Sequence, residues 1–330
     1  MCIRDSAYAL REYDELEYMQ AAASQMGFEF DWTSDYPTLE NAHLAAGHDA
    51  LCIITNPMPA ELLDAFWAQG VRYLSTRTIG YEHIDVAHAR ELGMRVSNAP
   101  YPPEGVANYA IMLMLMAQRK VKLLARHSAA QDFGLRGKLG KDISTSTVGV
   151  IGTGRIGSTV VRHLSGFGCK ILAYDPYPNK EVAKYAAYVD LDTLLAQADA
   201  ITLHAPGLAE NYHMLDSAAF AKMKDGVVLV NAARGMLVDT EALVAAVESG
   251  KVGAAALDTI ENEADLYYRD LSRDVLPNRD RSVLMAFPNV IVSPHMAFYT
   301  AEDVRAMIFN SASALLAFSR GEETPFEVRA

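Results

Sequence analysis

Three ionisable residues each follow an apolar run in the second half of the chain. Arg234 follows Val227-Val-Leu-Val-Asn231-Ala-Ala, Glu263 follows Gly253-Ala-Ala-Ala-Leu257-Asp258, and His295 follows Val290-Ile-Val-Ser-Pro294. Taken singly, each has an ordinary structural reading. Arg234 could pair with any surface carboxylate, Glu263 sits in the acidic run Glu261–Asp265 of a solvated face, and His295 could be a satisfied turn histidine. Taken together they suit one chemistry. A guanidinium grips a carboxylate in bidentate fashion. An imidazole, with an ordinary pKa of about 6.5, gives and takes a proton near neutrality. A carboxylate beside it orients the ring and favours its charged form. Reducing a carbonyl next to a carboxylate requires these groups and a hydride donor, which a nicotinamide would supply.

The donor has its own signature. In Val148-Gly149-Val150-Ile151-Gly152-Thr153-Gly154-Arg155-Ile156-Gly157, an apolar strand ends and a helix opens on spaced glycines. Gly152 permits the tight turn, Gly154 the close approach of a pyrophosphate, and Gly157 the packing of helix on strand. The helix N-terminus offers free N–H groups and partial positive charge to that anion. A second apolar stretch, Lys170-Ile-Leu-Ala-Tyr174, ends in Asp175, where a carboxylate can accept from the ribose hydroxyls and would repel a 2′-phosphate. NAD is therefore expected rather than NADP.

The elements that position these groups read as alternating strands and helices, hence α/β layers with parallel sheets. Buried strands are expected at Ala50–Ile54, Tyr73–Ser75, Thr147–Ile151, Lys170–Tyr174, Ala200–His204, Val227–Asn231, Gly253–Leu257 and Val290–Val292. Helical spacing covers Pro59–Gln69 and Asp85–Leu92, one long helix is expected over Glu104–Arg126, and a last one over Ala301–Arg320. The methionines Met112, Met114 and Met116 read as packing. Met1–Ser6 is oddly polar for a first strand; it carries little structural weight and leaves open whether it is native sequence.

Bulk properties bound the rest. At 330 residues two domains are the default. A net charge of −12 argues against a general phosphate-backbone binder of nucleic acid. Cys2, Cys52 and Cys169 are scattered and odd in number, so neither a disulfide framework nor a metal site is suggested and a reducing, cytoplasmic setting is the simple reading. No apolar run reaches the ~20 residues of a membrane span, and no secretory signal is visible.

At this point the chain resembles the D-isomer-specific 2-hydroxyacid dehydrogenase family. The likeness is carried by Thr76-Arg-Thr-Ile-Gly80-Tyr-Glu-His-Ile-Asp85, the glycine loop, Leu203-His-Ala-Pro206, Asn231-Ala-Ala-Arg234-Gly235, Leu257-Asp258-Thr-Ile-Glu-Asn-Glu263 and Ser293-Pro-His295-Met-Ala-Phe-Tyr299-Thr300. The resemblance implies two domains. A flavodoxin-like substrate domain is formed by residues 1–100 plus 299–330, and a Rossmann NAD-binding domain by 101–298, with the active site in the interdomain cleft. It also implies a homodimer built largely through the Rossmann domains. The family's catalytic residues fall on Arg234, Glu263 and His295. Its cofactor contacts fall on Arg155, Ile156, Asp175, Ala205, Pro206, Asn211, Ala232, Ala233 and Asp258, beside Gly152, Gly154, Gly157 and Arg234. Its substrate contacts fall on the backbone of Ile79 and Gly80, on Tyr101, and on Tyr299 with Arg234.

Within the family, the long stretch Ala264–Pro294 and the pair Phe298-Tyr299 look like the D-lactate and D-2-hydroxyisocaproate branch. Arg77-Thr-Ile-Gly80, Asn108-Tyr109 and Gly166-Phe-Gly-Cys169 are most similar to the D-lactate dehydrogenases of vancomycin-resistance operons, from which Asp175 departs in favour of NAD. Pyruvate is the expected substrate, with branched or aromatic 2-oxo acids such as phenylpyruvate as the alternative. A reading of another class is an NAD(H)-sensing, co-repressor-like binding protein. A formate-oxidising enzyme is disfavoured, because that branch carries Gln where Glu263 stands.

Overall fold

The computed structural model describes residues 3–263, 266, 269–276 and 278–328. Met1 and Cys2 of the opening segment, Asp265 of the acidic run, and Ala264, Tyr267, Tyr268 and Pro277 of the stretch before His295 lie outside the described residues. The chain forms two compact units; one runs to Pro102 and resumes at Tyr299, and the other holds Pro103–Phe298.

In the first unit the order is β1 (Arg4–Ala7), α1 (Leu16–Met26), β2 (Glu29–Trp32), β3 (Ala50–Ile53), α2 (Ala60–Ala68), β4 (Tyr73–Thr76), α3 (Val86–Leu92) and β5 (Arg95–Ser97). The strands pair in parallel as β2-β1-β3-β4-β5, the flavodoxin-like order. Every residue of β3 is buried because both faces are covered. Ala50 and Cys52 join a core with Met19 and Ala22 of α1, and Leu51 and Ile53 join one with Leu63 and Phe66 of α2.

The second unit contains α4 (Glu104–Gln118), α5 (Val121–Ala129), β6 (Thr147–Ile151), α6 (Arg155–Ser165), β7 (Lys170–Tyr174), β8 (Ala187–Tyr188), α7 (Leu191–Gln197), β9 (Ala200–Leu203) and α8 (Ser217–Lys222). It continues through β10 (Val227–Asn231), α9 (Thr240–Glu248), β11 (Val252–Leu257), α10 (Arg279–Ala286) and β12 (Val290–Val292). Its seven strands are all parallel in the order β12-β11-β10-β9-β6-β7-β8, a Rossmann sheet with one added edge strand. The last helix, α11 (Ala301–Ser319), packs on α1 and β4 of the first unit. Among the described residues no helix is long and apolar enough to cross a membrane.

Two sequence expectations are corrected. Arg4–Ala7 is a central strand, β1, paired on both sides, although its residues carry no apolar alternation. Its backbone ladder, rather than strand propensity, places it there. The single helix expected over Glu104–Arg126 is two, α4 and α5, separated at Lys120, which takes a left-handed φ of 54°. The break turns Lys122 so that its Nζ donates to the carbonyls of Met285, Phe287 and Val290 at 2.8, 2.8 and 2.6 Å. That docks the start of α5 beside α10 and β12.

Candidate active site

The glycine loop leaves β6 as the spacing predicts. Gly152 has φ +89°, and a Cβ there would stand 2.6 Å from the Ala205 nitrogen. A Cβ on Gly157 would stand 1.9 Å from the Gly152 carbonyl oxygen, so α6 packs on the turn only without one. A Cβ on Gly154 would meet nothing within 4 Å. Gly154 and Arg155 are exposed at the start of the eleven-residue α6, while Ile156 is half-buried. The loop thus offers an open cradle at a helix N-terminus, as a pyrophosphate requires.

At the end of β7, Asp175 is oriented from both sides. Its Oδ2 accepts from the Thr153 N–H at 2.6 Å and hydroxyl at 3.0 Å, and its Oδ1 accepts from the Tyr177 N–H at 2.8 Å. Tyr188 donates its hydroxyl to Thr153 Oγ1 at 2.8 Å. Ala205 and Pro206 follow β9, and the Asn211 amide donates to the Pro206 carbonyl at 2.9 Å, closing that loop.

The buried Asn231 builds the turn that carries Arg234. Its Oδ1 accepts from Ala233 N–H at 3.1 Å and its Nδ2 donates to the Arg234 carbonyl at 2.9 Å. Ala232 and Ala233 are buried within the turn, and Arg234 Nη1 donates to the Ala233 carbonyl at 2.9 Å. The Asn231 carbonyl also accepts from Asp258 N–H at 2.8 Å, tying the end of β10 to the residue that follows β11.

Asp258 in turn holds the histidine loop. Its Oδ1 accepts from the Ser293 hydroxyl at 2.5 Å and the Met296 N–H at 2.8 Å, and its Oδ2 from the Ala297 N–H at 2.8 Å. Its carbonyl accepts from His295 N–H at 3.0 Å. His295 itself is held at φ +57°, an unusual conformation for a non-glycine residue. There its Nδ1 lies 3.2 Å from Glu263 Oε1, and its ring stands edge-on to Phe298. The other oxygen of Glu263 accepts from the Ile260 N–H at 3.0 Å.

Sequence reasoning missed three supports of this arrangement. The side chain of Asn231 and the hydroxyl of Ser293 are fixed by tertiary contacts that spacing does not show. Arg281, buried in α10, is the third. Burial lowers its guanidinium pKa, while the charges of Glu263 and Asp258 pull it back.

The remaining expected residues lie in the first unit. Past β4, the carbonyls of Ile79 and Gly80 accept from Asn98 Nδ2 at 2.7 Å and Thr78 Oγ1 at 2.6 Å. No acceptor among the described residues takes the N–H groups of Ile79 or Gly80. Tyr101 is half-buried. Tyr299 donates its hydroxyl to Asp14 at 2.5 Å, and the Arg11 guanidinium lies over its ring at 5.7 Å. Burial first, then Asp14, pushes the Tyr299 phenol up to about 12.

A Rossmann sheet with this loop, and a histidine–glutamate pair beyond its strands, define a dinucleotide-dependent oxidoreductase. A model of the D-isomer specific 2-hydroxyacid dehydrogenase NAD-binding domain matches residues 111–297. The chain is 37% identical to a D-lactate dehydrogenase of Escherichia coli over 326 residues, 98% of this chain and 99% of that one. It is 39% identical to an aromatic 2-oxoacid reductase of Clostridium sporogenes over 305 residues, 92% of each chain. A solved D-lactate dehydrogenase of Lactobacillus jensenii with NAD+ superposes with TM-score 0.87 at 32% identity, covering 99% of this chain and all of that one. The chain belongs to the D-isomer specific 2-hydroxyacid dehydrogenase family, and NAD is its cofactor.

Proposed function

We propose that the chain reduces a small 2-oxo acid, pyruvate foremost, to the D-2-hydroxy acid, with His295 delivering the proton. The observation that carries this is the 3.2 Å approach of His295 Nδ1 to Glu263 Oε1. With Nδ1 turned to a carboxylate, Nε2 is the nitrogen that exchanges a proton with the substrate oxygen. Arg234 grips the substrate carboxylate, helped by the N–H groups of Ile79 and Gly80. Tyr101 and Tyr299 complete the substrate contacts. Gly152, Gly154, Arg155, Ile156 and Gly157 hold the pyrophosphate of NADH and Asp175 its ribose. Ala205, Pro206, Asn211, Ala232, Ala233, Arg234 and Asp258 line the remainder, and the nicotinamide supplies the hydride.

The test mixes the protein, NADH and pyruvate and follows loss of NADH absorbance, then repeats it with 2-oxoisocaproate and phenylpyruvate. Pyruvate should give the highest kcat/KM and a D product. Faster turnover of phenylpyruvate would move the assignment toward the aromatic acids on which a 39%-identical relative is named. No oxidation with any 2-oxo acid would overturn the reading and favour an NAD(H)-sensing binding protein.

The working form is proposed to be a homodimer in a reducing cytoplasm. No residue of α5 is buried, and Phe133, Leu135 and Leu139 beyond it are 78%, 87% and 87% exposed. Large apolar side chains as exposed as these favour burial against a second copy. Cys52 and Cys169 are free thiols, which suits a reducing compartment.

A further inference from the structure

We propose that Glu261 and His213 are positioning residues that hold Glu263 against His295, an inference that rests on the roles just given to those two residues. Glu263 is presented by a short reversal after β11. Ile260 N–H donates to the Glu263 carboxylate, and Asn262, between Glu261 and Glu263, takes a left-handed φ of 55°. Glu261 adds a further hold on this reversal, its carboxylate engaged on both oxygens. Oε1 lies 2.6 Å from His213 Nε2, and Oε2 accepts from the N–H of Thr240 at 3.0 Å and its hydroxyl at 2.7 Å. Glu261 therefore ties the reversal to the first residue of α9, where a carboxylate also complements the helix dipole.

The other side of the reversal is clamped as well. Asn278 Nδ2 donates to the carbonyls of Glu261 and Asn262 at 3.2 and 3.3 Å. His213 is itself held, by its N–H on the Met236 carbonyl at 2.9 Å and by stacking on Tyr212 at 3.9 Å. Gly235, the residue after Arg234, lies directly against the reversal. A Cβ there would stand 2.2 Å from the Ile260 carbonyl carbon and 2.6 Å from the Glu261 nitrogen. The backbone beside the substrate-gripping arginine and the backbone beside the histidine's carboxylate are thus one packed unit.

Among the described residues, charged groups face the device from several elements. His213 faces Glu261 and, at 3.8 Å, Asp239. Glu263 faces His295 and the charge of Arg281 from α10. Asp258 lies under His295 through its carbonyl and, through its carboxylate, under Met296 and Ala297. Loosening Glu261 frees Glu263 to leave His295, and the imidazole then loses the contact that orients its ring for proton transfer.

The experiment compares Glu261→Ala and His213→Gln with Glu263→Gln on the full-length protein. It reads kcat and KM for the 2-oxo acid, the pH profile of kcat/KM for reduction, and NADH affinity by fluorescence titration. Glu261→Ala and His213→Gln should each lower kcat about tenfold to a hundredfold, the range a small misplacement of a catalytic group produces. They should also change the pH profile in the same sense as Glu263→Gln does, with NADH affinity within about twofold of the parent. If Glu263→Gln changes rate and profile while the other two match the parent, this proposal alone falls. If Glu263→Gln changes neither, the role of Glu263 falls with it. Parallel loss of kcat and NADH affinity with an unmoved profile would show a merely structural role and overturn the proposal. Should Glu261→Ala fail to fold, His213→Gln decides, since its half-buried ring sits outside the core.

Discussion

Thr153 donates two hydrogen bonds to a single oxygen of Asp175, one from its backbone and one from its hydroxyl. With Tyr177 N–H on the other oxygen, three donors fix the carboxylate in place. In its proposed role at the ribose, this fixed negative charge rejects a 2′-phosphate more firmly than a mobile one. Asp175→Ser should therefore raise the ratio of kcat/KM for NADPH over NADH by about tenfold or more, roughly 1.4 kcal/mol or more of discrimination. An unchanged ratio in steady-state assays with both cofactors would remove Asp175 from that role.

Arg234 is held by its backbone, through Asn231, and presents a planar fork. Lysine would keep the charge and lose the fork. Arg234→Lys should raise KM for the 2-oxo acid about tenfold to a hundredfold, with little change in NADH affinity. Equal loss of both affinities would point to collapse of the turn rather than loss of a carboxylate grip.

Asp5 is 1% exposed in the middle of the first sheet, and neither of its carboxylate oxygens accepts a close hydrogen bond. Burial pushes its pKa from 3.8 up to about 7, against the opposing pull of the Arg77 charge. The folded chain thus binds a proton there that the unfolded chain has released between about pH 4 and pH 7. The Asp5 contribution to stability falls as pH rises through that window and is flat above it. Asp5→Val should abolish this slope and stabilise the protein by about 2 kcal/mol or more at about pH 8. Denaturant titrations of both proteins at about pH 5 and about pH 8 measure it; equal gains at the two pH values would exclude the carboxyl as the cause.

The exposed apolar side chains beyond α5 make a separate prediction about assembly. Changing Phe133, Leu135 and Leu139 together to serine should convert a dimer into monomers in sedimentation while each chain stays folded by circular dichroism. A parent protein already monomeric at micromolar concentration would leave no such role for these side chains.

The strand–glycine-turn–helix unit and the place of Asp175 after the next strand were readable because their signals are local: glycine spacing, an apolar strand before it, and a carboxylate after the next strand. Arg234, Glu263 and His295 were readable as residues beyond strand ends. What holds them was not. Asp258 reads as a possible cofactor contact, yet its carboxylate carries three hydrogen bonds to the histidine loop. Glu261 reads as one more charge in an acidic run, and only α9 and His213, distant in sequence, give it work to do. Arg4-Asp-Ser-Ala7 has no strand pattern, because β1 is imposed by backbone pairing to β2 and β3 rather than by its own side chains. The break at Lys120 has no glycine or proline to announce it. It is stabilised by carbonyls that lie more than 160 residues further along the chain.

Gly152 and Gly157 interlock so closely that a single added methyl on either would strike backbone. For an engineer who wants a different dinucleotide, this makes the proposed ribose end the more editable address. In the glycine loop, Gly152 and Gly157 admit no side chain, and only Gly154 leaves room for one. The proposed ribose end is written in the side chains of Asp175 and Tyr188, both half-buried, and of the buried Thr153 between them. Selection on natural variants would face the same asymmetry, so drift in cofactor preference should accumulate at Asp175 and Tyr188 while Gly152 and Gly157 stay unaltered.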